Sequence, residues 1–553
     1  MSAPFFKRIN MKKNDVIILQ ITDLTGGGDG VGRADDGRVV FVPNTAVGDV
    51  IEALIIKVKT KYALGKIQSV IAPSQYRINS DCEVSNRCGG CVFRHITYEK
   101  EKEIKYSQVY NSIRRIGGIE FTPDNLVSND IINGYRNKAQ YPIGLDKFGN
   151  VICGFYSKSS HRLVQCDNCR LQPQIFTAIT RVFCSWANEY EISVYDERTD
   201  SGLLRHLYIR HGEVSGEVMV VVVINGSELP CSENLKDMLI DVLGDKLKSL
   251  QININCENTN VVLGEKCKVV YGEPYITDTL CGVNLRISPL SFYQVNRAMA
   301  EKLYNIAKCY AEPRGKTLLD LYCGTGAIGL TMAKEAKSVI GVEIVSSAIE
   351  DAKINARLNG IDNAEFLCMD ATEAASYLKI KGVTADVVML DPPRKGCDEK
   401  LLNTIAKDFS PERIVYISCN DATLARDCAI LTSIGYELKR LTPVDLFPRT
   451  GHVETVALLS QRRPDEHIDI TIDLTEFDTT AAELKATYPE IKEYVLNKFG
   501  LKVSSLYISQ VKTKCGIIER ENYNKGKAGH RVPQCPKEKE DAIMDALKHF
   551  KMI

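Results

Sequence analysis

Short apolar runs punctuated by glycine occupy residues 14 to 72: DVIILQITDL, then GGGDGVGRADDG, then RVVFVPNTAVGDVIEALIIKVKTKYALGKIQSVI. Segments of this length with glycine turns between them predict about five strands closed into a small β-barrel. From 76 to 290 the pattern is mixed. VMVVVVIN at 218–225 is apolar throughout and predicts a buried strand, whereas KEIKYSQVYNSIRRIGG has helical spacing and a basic surface. From 291 to 460 the runs TLLDLYCG, SVIGVEI, AEFLCMD, DVVMLDPP, RIVYISCN and ETVALLS alternate with helical stretches, the rhythm of a doubly wound parallel α/β sheet. A charged break, QRRPDEHIDITIDLTEFDTTAAEL, precedes a last unit that ends in a helix, KEKEDAIMDALKHFKMI.

Composition adds limits. The chain has 553 residues, 44% hydrophobic and 25% charged, an ordinary globular balance, and at roughly 150 residues per domain it holds about three or four units. No apolar run approaches the roughly 18 residues needed to span a bilayer, and the start, MSAPFFKRINMKKNDVI, lacks the apolar core of a signal peptide. Cytoplasmic residence, with no membrane partner, is the expectation. The 19 cysteines then read as thiols and metal ligands in place of disulfides. Formal charge sums to zero, so any nucleic-acid binding rests on local patches.

DLYCGTGAIGL sets Gly324, Gly326 and Gly329 after a strand and at the start of a helix, where a ligand can approach the backbone. Glu343 ends the second strand, placed to accept from ribose hydroxyls, Asp370 the third, placed to meet an adenine amino group, and Asp391 follows the fourth in DPPR. A dinucleotide enzyme has no need of DPPR, and the set suits the cationic sulfonium of S-adenosylmethionine better than NAD. YISCN puts Cys419 at the carboxyl edge of the fifth strand, and Asn420, Asp421 and Thr423 are capping residues, so the helix start is expected to favour a thiolate. A thiolate beside a methyl donor has a specific use. Addition at carbon 6 of uracil makes carbon 5 nucleophilic enough to take a methyl group, after which a base must remove the carbon-5 proton. LFPRTGHVETVALLS offers Glu454 as that base, with His452 as second choice.

DCEVSNRCGGCVFRH gathers Cys82, Cys88 and Cys91 in one short loop, which implies a metal or cluster. HRLVQCDNCRLQPQ offers Cys166 and Cys169 for a fourth ligand. All-sulfur ligation fits a [4Fe–4S] cluster, with structural zinc as the alternative. Basic and aromatic residues interleave in NGYRNKAQYPIGLDKFGN and GFYSKSSHRL, as in surfaces that contact RNA phosphates and bases, and an extruded base is required for chemistry at a stacked carbon.

Six motifs in order, ISPLSFYQVN, DLYCGTGAIGL, VEIV, DPPRKG, YISCN and FPRTGHVETV, make residues 14 to 460 resemble the RNA uracil-5-methyltransferases, most closely the iron–sulfur branch acting on 23S ribosomal RNA. The N-terminal barrel resembles the TRAM domain, an OB-like RNA-binding module. Apart from a small helical extension expected at 480–553, which the family does not require, the resemblance implies three regions: a TRAM barrel at 12–74, a central α+β iron–sulfur domain at 75–290 and a Rossmann-like class I methyltransferase domain at 291–462. It implies Cys419 as nucleophile, Glu454 as base, Gln294, Tyr322, Glu343, Asp370 and Asp391 around S-adenosylmethionine, Phe292 stacked on the target uracil, and Cys169 as the last cluster ligand. Ala327 stands where some members have a cofactor-contacting asparagine. Arg205 and His206 in GLLRHLYIR also match the family but equally suit a brace within the fold. The partner implied is 23S ribosomal RNA and the state monomeric; the other readings are a transfer-RNA uracil-5-methyltransferase and a non-catalytic RNA-binding iron–sulfur protein. From Lys498 to Arg531 eight Lys or Arg face two Glu, which leaves the extension as a nucleic-acid contact or a solvated face.

Overall fold

The structure is a computed structural model that describes residues 11–158, 160–462, 487–515, 534–550 and 552–553. It divides into two compact units, Met1–Asp469 and Ile470–Ile553. In the first, β1 (Val16–Leu24), β2 (Asp29–Arg33), β3 (Val39–Pro43), β4 (Val50–Val58) and β5 (Tyr62–Ala72) close a barrel in the order β1-β2-β3-β5-β4. Leu19, Ile21, Val40, Val42, Ile51, Ala53 and Ile55 fill it from alternate positions, as the pleat requires.

Helix α1 (Tyr98–Arg115) starts at Thr97, whose side chain accepts from Lys100 N, and carries acids in its first turn and arginines in its last, the charge order a helix dipole favours. A second sheet follows: β6 (Lys138–Leu145), β7 (Val151–Tyr156), β8 (Leu163–Gln165), β9 (Leu204–His211), β10 (Val218–Ile224), β11 (Leu247–Ile254) and β12 (Lys266–Gly272), in the order β12-β11-β10-β9-β6-β7-β8. Helices α2 (Gln174–Glu189) and α3 (Ser232–Leu243) share its core, and β10 is buried along its whole length. The hairpin β13 (Ile276–Leu280) and β14 (Val283–Ile287) leads to α4 (Arg297–Ala311).

The third sheet contains β15 (Thr317–Leu321), β16 (Ser338–Glu343), β17 (Ala364–Cys368), β18 (Val387–Leu390), β19 (Arg413–Ser418), β20 (Tyr436–Val444) and β21 (Glu454–Gln461), in the order β17-β16-β15-β18-β19-β21-β20. Its crossovers are α5 (Ala327–Ala333), α6 (Ser346–Leu358), α7 (Ala371–Ile380), α8 (Glu399–Thr404) and α9 (Asp421–Ser433). Strands pair in parallel except β21, which runs against both neighbours. The α/β reading of 291–460 therefore holds, with one reversed strand and one strand, β20, that the pattern had not revealed. YELKRLTPV in β20 carries charge because it lies at the sheet edge. Although α1 lies far upstream, its Val109 and Ile113 belong to this sheet's core.

The second unit, as described, is a cluster of three helices, α10 (Tyr488–Phe499), α11 (Ser505–Lys514) and α12 (Lys537–His549), around Ile491, Val495, Ile508, Val511, Ile543 and Leu547. Residues 516–531 of the basic stretch from Lys498 to Arg531, with four of its eight Lys and Arg, lie outside the described residues. Among the described residues no helix is long and apolar enough to cross a membrane.

A buried ionic network ties α1 to the β20–β21 connection. Lys105 Nζ donates to Glu101 Oε1 at 2.8 Å, Asp445 Oδ1 at 2.7 Å and the Phe447 carbonyl at 3.1 Å. Tyr98 donates to the other Asp445 oxygen at 2.7 Å, and Arg449 N donates to Glu101 at 2.6 Å. Lys105 and both acids are shut off from water. Deleting one partner of such a set leaves bare buried charge and costs about 3–5 kcal/mol. Lys105→Met is expected to lower the urea midpoint of the first unit's unfolding by a corresponding amount, read by intrinsic fluorescence.

Candidate active site

The glycine loop sits at the carboxyl edge of β15. Tyr322, Gly324 and Gly326 take φ of 67, 55 and 79°, so three residues in five adopt left-handed backbone. At Gly326 a β-carbon would also press on the Phe366 ring at 3.0 Å, which leaves glycine as the residue that fits. Gly324 N donates to Glu343 Oε2 at 3.2 Å, while Oε1 accepts from Ile344 N and Val345 N at 2.8 and 2.9 Å. The carboxylate is thus fixed at the end of β16, and its lone pairs beyond these three bonds are what remain for ribose hydroxyls. Asp370 caps α7 through Oδ1, which accepts from Thr372 N at 2.8 Å and Glu373 N at 3.3 Å, so one of its oxygens already serves the helix. Gln294 is buried and its carbonyl accepts from Asn137 Nδ2 at 2.9 Å, whereas Phe292 is 60% exposed.

Acid collects beneath this loop. Asp320, which the sequence reading passed over, is buried in β15; its Oδ2 accepts from Gly329 N at 3.0 Å and its Oδ1 has no partner. Burial pushes it up to about 7, and Asp391 and Glu343 add to the rise. Asp391 is likewise pushed up to about 7 by burial. An acid inside an otherwise apolar strand, TLLDL, was the available signal. An orphaned buried oxygen among mutually repelling carboxyls fits a cationic ligand, and the open, side-chain-free approach at Gly324 fits one that lies against backbone. S-adenosylmethionine answers both requirements with its sulfonium and ammonium.

Cys419 and Glu454 lie 35 positions apart in the sequence and meet because β21 is reversed. Ser418 pairs with Thr455 and Val444 with Glu454, so the first residue of β21 stands at the edge where β19 ends. Asn420 caps α9 by accepting from Ala422 N at 3.1 Å, and its Nδ2 donates to the Arg394 carbonyl at 3.1 Å. Asp421 accepts from Gln108 Nε2 at 2.7 Å and from Ser112 on α1. The cysteine is therefore held between the DPPR loop and α1.

The expected thiolate-favouring environment is not what the fold provides. Burial first, then Glu454 and Asp391, push the Cys419 thiol up, with Arg394 opposing; the capped helix start does not outweigh them. Glu454 is 6% exposed, and burial with Asp391 nearby pushes it up to about 8, again opposed by Arg394. His452 is held below its ordinary value by burial and by Arg394, Arg136 and Lys105, which leaves Glu454 the stronger base. Arg394 is the second residue that sequence reasoning missed, although DPPR had been singled out.

The cysteine loop is anchored at several points. Gly89 N donates to the Tyr156 carbonyl at 3.0 Å, Val92 N to the Arg449 carbonyl at 3.0 Å, and buried Arg94 donates to Asp81 at 2.6 Å and Asn133 at 3.0 Å. Cys88 feels Cys169 and Cys82, and Cys91, pushed up to about 11 chiefly by burial, feels Cys169 and Cys88. The four thiols thus share a neighbourhood. Among the described residues, however, no three His, Cys, Asp or Glu side chains stand as a metal-holding group. The expected tetrad of Cys82, Cys88, Cys91 and Cys169 is not assembled as a cage; Cys169 is engaged by Cys166, whose thiol hydrogen bond holds it down to about 7. Arg205 braces the fold, its Nη1 donating to the Asn255 and Glu257 carbonyls at 2.6 and 2.8 Å, and burial holds neighbouring His206 near 4. Tyr156 stacks on His161 with ring centres 5.2 Å apart, and Lys158 reaches Asp29 of the barrel at 2.8 Å.

Comparison with known proteins agrees with this geometry. The profile of the family described as tRNA (uracil-5-)-methyltransferase matches residues 232–462, and that of the TRAM domain matches 12–67. An uncharacterized RNA methyltransferase of Halalkalibacterium halodurans is 43% identical over 451 residues, covering 81% of this chain and 98% of its own. One from Clostridium tetani is 40% identical over 455 residues, covering 82% and 98%. The crystal structure of Pyrococcus abyssi tRNA (uracil-54, C5)-methyltransferase in complex with S-adenosyl-L-homocysteine superposes with a TM-score of 0.64 at 27% identity, over 80% of this chain and all of that one. With a β-barrel that matches the TRAM profile, an α/β sheet bearing a cysteine and a buried carboxyl on one edge, and relatives matched over nearly their full length, the chain belongs to the RNA uracil-5-methyltransferase family.

Proposed function

We propose that the chain methylates carbon 5 of a uridine in 23S ribosomal RNA by way of a covalent bond between Cys419 and carbon 6. The observation that carries this reading is the register of β21 on β19, which sets a buried carboxyl beside the cysteine. Gln294, Tyr322, Gly324, Gly326, Glu343, Asp370 and Asp391 would hold S-adenosylmethionine, which supplies an electrophilic methyl on a cationic sulfur. Cys419, once deprotonated, adds to carbon 6, and the electrons displaced onto the uracil carbonyl make carbon 5 a nucleophile. Glu454 as carboxylate takes the proton from methylated carbon 5, the ring double bond re-forms, and the sulfur leaves. Arg394 opposes the upward shift of both groups and so steadies their charged forms. Phe292, 60% exposed, suits stacking on the extruded base.

Transfer RNA is the second reading, favoured by the description of the matching profile and by the P. abyssi neighbour. Mapping 5-methyluridine in both RNAs from a strain lacking the protein separates them: loss from 23S RNA alone supports the first, loss from transfer RNA alone overturns it. The [4Fe–4S] cluster on Cys82, Cys88, Cys91 and Cys169 belongs to the same proposal and supplies no step of it. Iron and acid-labile sulfide measured on anaerobically purified protein check it, with neither expected in a Cys88→Ser, Cys91→Ser variant.

Two outcomes test the chemistry. Both raised groups must lose protons to act, so kcat/KM should climb up to roughly a hundredfold per pH unit below about 8, where Glu454 ionises, and roughly tenfold per unit above it while the Cys419 thiol, raised above its ordinary value, is still protonated; a flat profile from pH 6 to 9 contradicts the assignment. Glu454→Gln should still form a gel-stable adduct with RNA but release product roughly 10²–10⁴-fold more slowly, while Cys419→Ala should form no adduct, even on 5-fluorouridine RNA.

A further inference from the structure

Lys138 opens β6 directly opposite Arg210 on β9. Like charges facing each other across a ladder destabilise a sheet, and here the neighbours offer no relief. Arg210 is buried and donates to neutral oxygens, the Ser291 and Pro289 carbonyls and the Tyr208 hydroxyl. The charges that act on Lys138 are those of Arg210 and Arg136, both positive, and with burial they push its ammonium down to about 8. Arg136 lies over the Phe447 ring, 5.8 Å from its centre, and its Nε is buried without a partner.

Two contacts lead from these cations toward the candidate site. Arg210 grips the segment that leads into Phe292. Arg136 acts on His452, two positions from Glu454. A base drawn into the pocket leaves its own phosphates at the pocket mouth, and a half-desolvated cation pair gains most from an anion with two free oxygens.

We propose that Arg136 and Lys138 bind a phosphodiester of the RNA strand adjoining the extruded uridine, with Arg210 contributing field. The inference rests on the uridine-methyltransferase reading. It is tested with full-length wild type, Lys138→Gln, Arg136→Gln and Lys138→Arg, using unmodified 23S and transfer RNA transcripts and S-adenosylhomocysteine as probes. For each Gln variant the slope of log K for RNA against log salt should fall by about 0.7, and the KM for RNA should rise roughly tenfold. The affinity for S-adenosylhomocysteine should not change, and Lys138→Arg should keep the wild-type slope. Unchanged slope and RNA KM in both Gln variants would overturn the proposal. So would weakened S-adenosylhomocysteine binding with RNA binding intact, which would assign the cations to the cofactor's carboxylate. If the wild type transfers no methyl to either RNA, the uridine reading fails while the salt slopes still judge the phosphate subsite.

Discussion

A single reversed strand sets the chemistry of this fold. Five strands of the α/β sheet, β15 to β19, run in parallel, and each delivers a candidate site residue as it leaves the carboxyl edge. A base delivered the same way would need a further crossover. β21 instead enters from that edge, so its first residue, and not its last, meets Cys419. The connection that makes the reversal, 445–453, is clamped at its Asp445 and Arg449 by Lys105 and Glu101 of α1, in a network shut off from water. Desolvated charge of this kind is unforgiving of misplacement, and it fixes where Glu454 begins.

The electrostatics follow from crowding acids into that edge. Asp320, Asp391 and Glu454 are each pushed into or above the neutral range by burial, and Cys419 rises with them. Burial and mutual repulsion thus favour the protonated forms of these groups. A cationic methyl donor entering beside the glycine loop reverses that balance, because a positive charge close to several carboxyls lowers them together. Under the proposed function, cofactor charge and the ionisation of Cys419 and Glu454 are thereby linked, which is a use of burial that a solvent-exposed pair could not support.

Much of this was legible in the sequence. Strand ends and glycines are local signals, and DLYCGTGAIGL, VEIV and DPPR marked the ends of β15, β16 and β18 from pattern alone. What escaped was non-local. Nothing in ETVALLS states that it runs antiparallel, and nothing in KEIKYSQVY states that α1 packs Val109 and Ile113 into a core whose strands begin 200 residues later. The direction of the Cys419 shift was misread for the same reason: the capping residues adjoin it in sequence, while Asp391 and Glu454 adjoin it in space. The cysteine loop illustrates a further limit. Spacing gathers thiols, but whether they close around a metal depends on side-chain choices such as the pairing of Cys169 with Cys166.

The N-terminal barrel does more than hang beside the enzyme. A side chain at Gly451 would run into the Gly26 carbonyl of the barrel's first turn, so the tip of the barrel abuts the loop three residues ahead of Glu454. Displacing the barrel would withdraw a wall from that loop. The barrel therefore helps to frame the loop that leads into β21, and a change in its seating carries to the start of that strand.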